Sequence, residues 1–299
     1  MLKSKIAVLG TGVIGRGIIK NLQKKGYHLS IYNRTYDKAN DLPNDHTQVF
    51  KNHIDAIKDA DIILSFLSDD KANEEIWLGE KGVVYHIKKD TYCINGSTLS
   101  EEFIDNWQNK IYKVGGKPLV MPLTGSKSGA DSGTLTLFLG GNKKDIENIE
   151  HVYSAISSKT FYIGTNLEAM RFKLVYNALG GLILLAFSEI LNLSHAIPMK
   201  KHDLLDILLK DNGWATPVAN SKGKRMISNN HNTPDSVLYN MIKDCDYALK
   251  TSKTFNGYTP LLEQAVKIYN QMNNDKALIK DMSYIDNYYE SHNKHTEDL

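Results

Sequence analysis

The chain has 299 residues, of which 41% are hydrophobic and 23% charged, a composition typical of a folded globular protein long enough for two domains. Its 36 basic and 34 acidic residues give a formal net charge of +2, and because the basic residues are scattered, neither nucleic acid nor a membrane surface is expected as a partner. The two cysteines, Cys93 and Cys245, are too few and too far apart for a disulfide framework, which indicates a reducing, cytoplasmic location.

The first half of the chain alternates short apolar runs with helical patterns. Apolar runs that are continuous and separated by helices are typical of strands buried on both faces of a parallel sheet. The pattern therefore predicts an α/β Rossmann domain with a doubly wound parallel sheet. The predicted strands are Ile6–Leu9, His28–Tyr32, Asp61–Leu67, Tyr92–Ile94, Pro118–Met121, Thr134–Leu139 and Thr160–Ile163, and the first predicted helix runs from Ile14 to Lys25.

The character of the sequence changes after Gly164. A long helix is predicted from Leu167 to His195, and further helices at Lys201–Leu209, Asp235–Lys250 and Pro260–Gln271. We therefore predict a Rossmann domain over residues 1–164 and an all-α domain over residues 165–299, joined by the long helix. The longest apolar stretch, residues 178–187, is about half as long as a membrane span, so a helix buried in protein is expected there. No histidine cluster has metal-ligand spacing, and no metal is expected.

A glycine-rich loop follows the first predicted strand. Gly10, Gly12 and Gly15 form the pattern GxGxxG between that strand and a helix, with Val13 and Ile14 in the same loop. Gly10 permits the tight turn, Gly12 lets the backbone approach a pyrophosphate, and Gly15 lets the helix pack closely. The amino end of the helix supplies N–H groups and the positive end of the helix dipole. These five residues are predicted to bind a dinucleotide.

The residues after the second predicted strand indicate which dinucleotide is bound. NAD-specific sites carry an acid there that accepts hydrogen bonds from the ribose 2′-hydroxyl, whereas this chain has Asn33, Arg34 and Thr35. A carboxylate would repel a 2′-phosphate, while a guanidinium pairs with it through two charge-assisted hydrogen bonds, and Thr35 adds a hydroxyl donor. An ordinary polar turn is the alternative interpretation. The prediction is NADP(H) as cofactor.

Further motifs resemble those of the β-hydroxyacid dehydrogenases, the family of 3-hydroxyisobutyrate dehydrogenase, tartronate semialdehyde reductase and glyoxylate/succinic semialdehyde reductases. The resemblance covers nearly the whole chain, because the motifs occur in the family's order. They are the phosphate loop, the Leu67-Ser68 segment, an N-G-S-T run that ends at Thr98, a substrate loop over residues 122–135, Lys173-x-x-x-Asn177, and a K-D-x-x-x-A motif that begins at Lys243.

The resemblance implies a role for each of these motifs. Contact with the cofactor is implied for Leu67, Ser68, Thr98 and Lys243, binding of a substrate carboxylate for Thr124, Gly125 and Ser126, and catalysis for Lys173 and Asn177. The chain departs from the family's pattern in ways that leave the substrate open. These departures are Asn95 for Asp, Ser68 for Pro, Ser126 for Gly, and Leu167 and Ala169 in places where Gly is frequent.

Lys173 and Asn177 are four residues apart on the predicted long helix and so share one of its faces. In this chemistry the cofactor carries the hydride, and the protein positions the carbonyl and delivers a proton to its oxygen. A lysine serves this purpose if burial makes it release a proton readily. Asn177 is expected to donate its amide to the substrate oxygen. Without the surrounding motifs, an exposed helical lysine would be the more ordinary interpretation of Lys173.

The predicted activity is reduction of a small carboxylate-bearing aldehyde, or oxidation of the matching hydroxy acid. Two alternatives stay open: an imine reductase of the same fold, and a protein that binds NADPH without catalysis. Lys173 argues against the first, because imine reductases typically carry Asp or Tyr there, and the intact Lys173–Asn177 pair argues against the second. The long apolar helix and the oligomers formed by relatives predict a homodimer or homotetramer. Asn212, Gly213 and Trp214 are expected on the distal wall of the substrate pocket.

Overall fold

The structure is a computed structural model that describes residues 4–193, 200–210, 213 and 215–294. The chain folds into two compact units, Met1–Lys173 and Leu174–Leu299. The predicted domain boundary at Gly164 falls at the end of the last strand, whereas the division between the units lies further on, inside the long helix.

The described part of the first unit contains one nine-stranded sheet with the spatial order β3-β2-β1-β4-β5-β6-β8-β7, and β9 pairs with β8. The strands are β1 Lys5–Leu9, β2 His28–Tyr32, β3 Thr47–Phe50, β4 Ile62–Ser65, β5 Tyr92–Asn95, β6 Lys117–Val120, β7 Leu123–Thr124, β8 Leu135–Gly140 and β9 Ser157–Gly164. Strands β1 to β6 are mutually parallel and follow the 3-2-1-4-5-6 order of a Rossmann domain.

Helices flank this sheet on both faces. They are α1 Val13–Lys24, α2 His53–Ile57, α3 Asp70–Asn73, α4 Glu101–Lys113, α5 Lys127–Ser132, α6 Lys143–Asn148 and α7 Glu150–Tyr153. The side chains of β1 alternate between two hydrophobic cores. Ile6 and Val8 pack in the core that contains residues of α1, whereas Ala7 and Leu9 pack in the core that contains Trp107 of α4. Because neighbouring strand side chains point to opposite faces, a sheet covered on both faces needs continuous apolar strands. The predicted fold class is confirmed.

The sheet is mostly parallel, and its far edge departs from the predicted all-parallel arrangement. Strand β8 runs antiparallel to β6 and β7 and parallel to β9. Two strands, Thr47–Phe50 and Leu123–Thr124, have no counterpart in the sequence prediction. Both are short and mix polar with apolar residues, so they lack the continuous apolar run that marks the central strands.

The second unit is helical in its described residues. A long helix, α8 Asn166–Leu193, leads into it. The other helices are α9 Lys201–Lys210, α10 Thr216–Val218, α11 Lys224–Ile227, α12 Leu238–Thr254, α13 Pro260–Gln271, α14 Asp275–Leu278 and α15 Asp286–Lys294. Leu184, Ile242 and Tyr269 belong to the core of this unit, and the Tyr269 hydroxyl donates to the Gly181 carbonyl of α8 at 2.9 Å.

Helix α8 is long and apolar enough to cross a membrane by length and composition, with a mean hydropathy of 1.8 in its most apolar 18-residue window. A helix at the centre of a soluble protein has the same properties, and 44% of that window is buried. The prediction that the chain has no membrane partner therefore stays a prediction. One stripe of α8 is nevertheless solvent-exposed and apolar, formed by Val175, Tyr176, Leu179, Ile183, Ile190 and Leu193.

The first residue of α8 anchors the helix to the sheet. The Asn166 side chain accepts from the Val120 N–H at 3.0 Å and donates to the Pro118 carbonyl at 3.1 Å. Asn166 is 2% exposed, so these bonds satisfy backbone groups that water does not reach.

Replacing this asparagine is expected to destabilise the first unit. In Asn166→Ala, the Val120 N–H and the Pro118 carbonyl lose their partner, and each buried unpaired group costs about 1–3 kcal/mol. We expect the melting temperature measured by calorimetry to fall by several degrees, about 2–4 °C per kcal/mol for a unit of this size. Asn270→Ala, on the exposed side of α13, is the matched control. An unchanged melting temperature in Asn166→Ala would contradict the anchoring role.

Candidate active site

The glycine-rich loop joins β1 to α1 as predicted. Gly10 has φ of +103°, and a Cβ there would lie 2.3 Å from the Phe66 carbonyl oxygen, so a side chain is excluded. A Cβ at Gly15 would lie 2.4 Å from the Gly10 carbonyl oxygen, which shows how tightly the first turn of α1 packs on the loop. These two glycines are required by the chain's own geometry.

Gly12 differs, because apart from its immediate neighbours in the chain no described residue comes within 4 Å of where its Cβ would be. It is the N-cap of α1, it offers no side-chain cap, and no acidic residue lies in the first turn. The nearby Thr11 is 5% exposed, and its buried hydroxyl has no hydrogen-bond partner in the described part of the chain. An uncapped helix end with an open approach and an unpartnered hydroxyl fits the phosphates of a dinucleotide.

Val13 and Ile14, the other predicted contacts of this loop, open α1. Val13 is 46% exposed, whereas Ile14 packs partly into the core.

Asn33, which follows β2, forms a side-chain hydrogen bond to the glycine-rich loop. Its Oδ1 accepts from the Thr11 N–H at 3.1 Å, and its Nδ2 donates to the Thr35 carbonyl at 2.7 Å. Arg34 and Thr35 are exposed, and the structure gives Arg34 no hydrogen bond or ion pair with any described residue. The guanidinium of Arg34 therefore lies at the carboxyl end of β2, the strand next to β1, and no described residue pairs with it. In dinucleotide-binding domains, the residues at this position contact the ribose.

The segments after β4 and β5 are tied together by side chains that the sequence prediction did not assign. The Leu67 N–H donates to the Ser97 hydroxyl at 2.9 Å, and Asn95 donates from Nδ2 to Oδ1 of Asn73 at 2.9 Å. Asn95 also accepts from the Ser97 N–H at 3.1 Å. Because its partner on Asn73 is an oxygen, position 95 needs a donor, which explains why an amide replaces the family's carboxylate.

Of the other predicted cofactor contacts in these segments, Ser68 donates its hydroxyl to Asp69 at 2.9 Å, and Thr98 is half-buried just beyond Ser97.

The substrate loop runs through β7 into α5. Thr124 pairs with Thr136 of β8, and Gly125 has φ of +142°, a conformation that favours glycine. Ser126 is the N-cap of α5 and accepts from the Gly129 N–H at 3.3 Å, so the departure from the family's glycine supplies a helix cap.

This loop is also clamped to the phosphate loop's helix. Asn21 of α1 is 7% exposed and donates to the Ala130 carbonyl at 2.7 Å and the Gly17 carbonyl at 2.8 Å. A Cβ on Gly17 would lie 2.6 Å from the Ala130 backbone, so the two helices touch. The sequence prediction missed Asn21. Its only sequence signal is a polar residue on the apolar face of an amphipathic helix.

The predicted catalytic lysine is buried. Lys173, in the last position of the first unit, is 5% exposed, and Asn177 follows one turn later on α8. In the second unit, Nδ2 of Asn177 donates to Oδ2 of Asp244 at 2.6 Å. Nζ of Lys243 lies 2.9 Å from Oδ1 of Asp244, so one buried carboxylate contacts two residues of the predicted site. Asp244 is the second residue of the K-D-x-x-x-A motif, but the sequence analysis assigned it no role.

Lys243 also lies beside an open cavity of the second unit. Its ammonium is 5.2 Å from the centre of the Tyr247 ring, and both residues line a cavity of about 180 Å³ together with Lys250 and Asn273. Asn212 and Trp214, predicted for the distal wall of the substrate pocket, lie outside the described residues.

Two family models together match most of the chain. Residues 5–164 match the NAD binding domain of 6-phosphogluconate dehydrogenase, and residues 168–289 match the NAD-binding model of NADP-dependent 3-hydroxyisobutyrate dehydrogenase. The chain belongs to the β-hydroxyacid dehydrogenase family. Members of this family are NAD(P)-dependent oxidoreductases.

Solved structures of β-hydroxyacid dehydrogenases share the fold. The 3-hydroxyisobutyrate dehydrogenase of Mycobacterium tuberculosis, solved with L-serine, aligns with a TM-score of 0.79 at 20% identity over 95% of this chain and 98% of that one. The enzyme from Salmonella typhimurium aligns with a TM-score of 0.83 at 17% identity over 95% and 99%. An imine reductase from Pseudomonas sp. aligns with a TM-score of 0.57 at 12% identity over 96% and 99%.

Two curated relatives of the chain are named as nuclear factors and not as dehydrogenases. The cytokine-like nuclear factor N-PAC of Homo sapiens is 25% identical over 281 residues, which cover 92% of this chain and 50% of that protein. N-PAC of Danio rerio is 27% identical over 282 residues, which cover 92% of this chain and 61% of that protein. The chain thus spans roughly half to three-fifths of the length of these relatives.

Proposed function

We propose that the chain is a cytoplasmic, NADPH-dependent oxidoreductase that transfers a hydride between the nicotinamide and a small carboxylate-bearing aldehyde or its hydroxy acid. The observation that carries the proposal is Lys173, which is 5% exposed and precedes Asn177 by one helical turn. Lysines are rarely this deeply buried in proteins, and this one stands where the family motif has its catalytic lysine. Both cysteines are free and buried, which is consistent with a reducing compartment.

The choice of NADPH rests on the residues after β2. Arg34 is exposed, and no hydrogen bond or ion pair to another described residue holds its guanidinium. Guanidinium binds phosphate through two parallel charge-assisted hydrogen bonds, and neither Asn33 nor Thr35, which flank Arg34, is an acid that would accept from a ribose hydroxyl. The adjacent Thr35 supplies a further donor. The phosphates would meet the amino end of α1 at Gly12, where a side chain is absent and Thr11 has an unpartnered hydroxyl.

The protein's own groups would perform the remaining chemistry. NADPH supplies the hydride when it is bound. Nζ of Lys173 gives a proton to the carbonyl oxygen as negative charge develops there, and takes the proton back in the reverse reaction. The hydroxyl of Thr124 and the N–H groups of Gly125 and Ser126 hold the substrate carboxylate. Leu67, Ser68, Thr98 and Lys243 are proposed as cofactor contacts on the strength of the family motifs.

A binding protein without turnover is the second candidate. It is favoured by one specific observation: the two curated relatives described above are named as nuclear factors and not as enzymes. The imine reductase alternative is supported only by the shared fold, because the chain is 12% identical in sequence to the solved imine reductase. Lys173 and Asn177 favour aldehyde chemistry over both alternatives, since proton transfer to an oxygen is the task that such a pair performs.

We further propose that the chain forms a homodimer or homotetramer through helix α8. Its exposed stripe is apolar over about five turns, from Val175 to Leu193, with relative exposures of 43% to 65% at the large side chains. Gly180 lies beside this stripe, and apart from its chain neighbours and the adjacent backbone of α8 no described residue comes within 4 Å of where its Cβ would be. Continuous apolar surface of this extent marks an interaction site more often than free surface.

Substitution of the proposed acid tests the activity. For Lys173→Ala, we expect kcat to fall about 100-fold or more, because general acid–base catalysis contributes roughly 10²–10⁴ in rate. Initial rates of NADPH oxidation would be measured with glyoxylate, succinic semialdehyde, methylmalonate semialdehyde and tartronate semialdehyde. Lys267→Ala, on an exposed position of α13, is the matched control and should keep full activity.

The same assay separates the alternatives. A wild type that binds NADPH but reduces no aldehyde would favour the binding protein. Turnover confined to cyclic imines would favour an imine reductase, and an active Lys173→Ala would exclude this lysine as the acid.

Cofactor choice is tested at Arg34. Charge-assisted hydrogen bonds contribute about 1.5–3 kcal/mol, so Arg34→Ala should raise the KM for NADPH roughly 10- to 100-fold and leave the KM for NADH unchanged. Lys24→Ala removes an exposed cation from the far end of α1 and should alter neither value. Equal losses for both cofactors would argue that Arg34 does not contact the 2′-phosphate.

The oligomer proposal is tested by mass. Light scattering of the wild type should give two or four times the 33.6 kDa of one chain, and the double variant Leu179→Glu/Ile183→Glu should give one. Two charges on an apolar interface lose their hydration without gaining partners, which opposes association. Leu261→Glu is the control, because that leucine is 68% exposed on α13, away from the stripe. A monomeric wild type would overturn the proposal.

A further inference from the structure

The second unit contains a buried carboxylate with a defined set of partners. Asp244 lies on α12 and is 6% exposed. Its Oδ2 accepts from Nδ2 of Asn177 at 2.6 Å, and its Oδ1 is 2.9 Å from the ammonium of Lys243. The second contact is an ion pair between adjacent residues of one helix and lacks the alignment of a directed hydrogen bond. Burial of a carboxylate is unfavourable unless groups of this kind compensate it.

This arrangement fixes the orientation of the Asn177 amide. An amide oxygen and an amide nitrogen have the same shape, so packing alone does not choose between the two orientations of an asparagine. An ionised carboxylate only accepts hydrogen bonds, and therefore only the nitrogen side of Asn177 can face Asp244. The direction of the Asn177 oxygen and of its second N–H is set by the same contact.

We propose that Asp244 is a positioning residue of the reaction, which acts by orienting the Asn177 amide while it holds the Lys243 ammonium. The inference rests on the proposed function, in which Asn177 meets the reacting oxygen of the substrate. Asp244 itself touches neither substrate nor reacting atoms in this scheme. Its carboxylate determines whether Asn177 presents an oxygen or a second amide nitrogen to its other neighbours.

The variant Asp244→Asn tests the orientation of the Asn177 amide without changing the shape of the side chain at position 244. Asp244→Asn keeps the size of the side chain but leaves it with one oxygen where there were two. The Lys243 ammonium attracts that oxygen and repels an amide N–H, so the new amide would turn its oxygen to Lys243 and its nitrogen to Asn177. Asn177 would then turn its own oxygen towards position 244, which reverses what it presents to the substrate.

The first test observes the amide without any reaction. In ¹⁵N-asparagine-labelled, unliganded protein, the side-chain signal that is absent from Asn177→Ala identifies Asn177 in the wild type, and the signal of Asp244→Asn that is absent from Asn177→Ala/Asp244→Asn identifies it in the variant. We expect its hydrogen-bonded proton to resonate downfield in the wild type and to move upfield in Asp244→Asn. Asp206→Asn, which changes an exposed acid on α9, should leave the signal in place. An Asn177 signal that is the same in wild type and Asp244→Asn would overturn the inference, whether or not the wild type reduces an aldehyde.

The second test uses turnover at saturating NADPH. We expect Asp244→Asn to lower kcat about tenfold or more, which corresponds to about 1.4 kcal/mol, when kcat is measured well below the melting temperature of the variant. Because Asp244 acts through Asn177, the double variant Asn177→Ala/Asp244→Asn should be no slower than Asn177→Ala alone. A merely structural role would give additive losses, and additivity would overturn the positioning role.

The two tests distinguish the possible failures. A wild type that reduces no aldehyde, combined with the expected change in the Asn177 signal, would reject the proposed function while the orienting contact stands. An active wild type whose Asn177 signal and kcat are both unaffected by Asp244→Asn would reject the inference and leave the proposed function intact.

Discussion

The uncapped amino end of α1 is the constraint on which the candidate site of the first unit depends. Gly12 has no side chain to satisfy the N–H groups of the first turn of α1, and that turn contains no acid, so an outside anion is the natural partner. Asn33 holds the loop from one side and thereby fixes where the segment with Arg34 begins. Asn21 holds the substrate loop from the same helix. The segments that we propose to bind phosphate, ribose and substrate are thus all tied to α1 and its loop.

The elements that are defined by local hydrophobicity could be predicted from the sequence alone. The parallel strands β1, β2, β4, β5 and β6 are buried on both faces, and the apolar runs that this requires are visible without a structure. Thr47–Phe50 and Leu123–Thr124 could not be found in that way, because their status as strands depends on partners elsewhere in the chain. The antiparallel edge at β8 has the same origin: strand direction in a sheet is a long-range property.

The motifs identified the type of site but not the task of each side chain. Ser126 appeared as a departure in the substrate loop, and the structure shows it capping α5. Asn95 likewise bonds a buried amide. Asn21 was missed, and Asp244 was given no role, because Ala130 and Asn177, which they contact, lie 109 and 67 residues away in the sequence, and spacing patterns do not report contacts at that range. The roles of the other site residues stay predictions.

The buried charged residues help to decide whether the chain is an enzyme or a protein that only binds the dinucleotide. Lys173, Lys243 and Asp244 are each less than one-tenth exposed, and removing such groups from water is costly even when they are paired. Well-packed apolar residues at buried ion-pair positions often make a protein more stable, so folding alone does not require charges there. Binding of a dinucleotide by the phosphate loop does not require them either, because backbone N–H groups and an exposed arginine suffice for phosphate. Moving a proton and orienting a reacting oxygen do require polar groups shielded from water. The buried Lys173, one helical turn before Asn177, and the buried carboxylate that Asn177 contacts therefore support the proposal of catalysis.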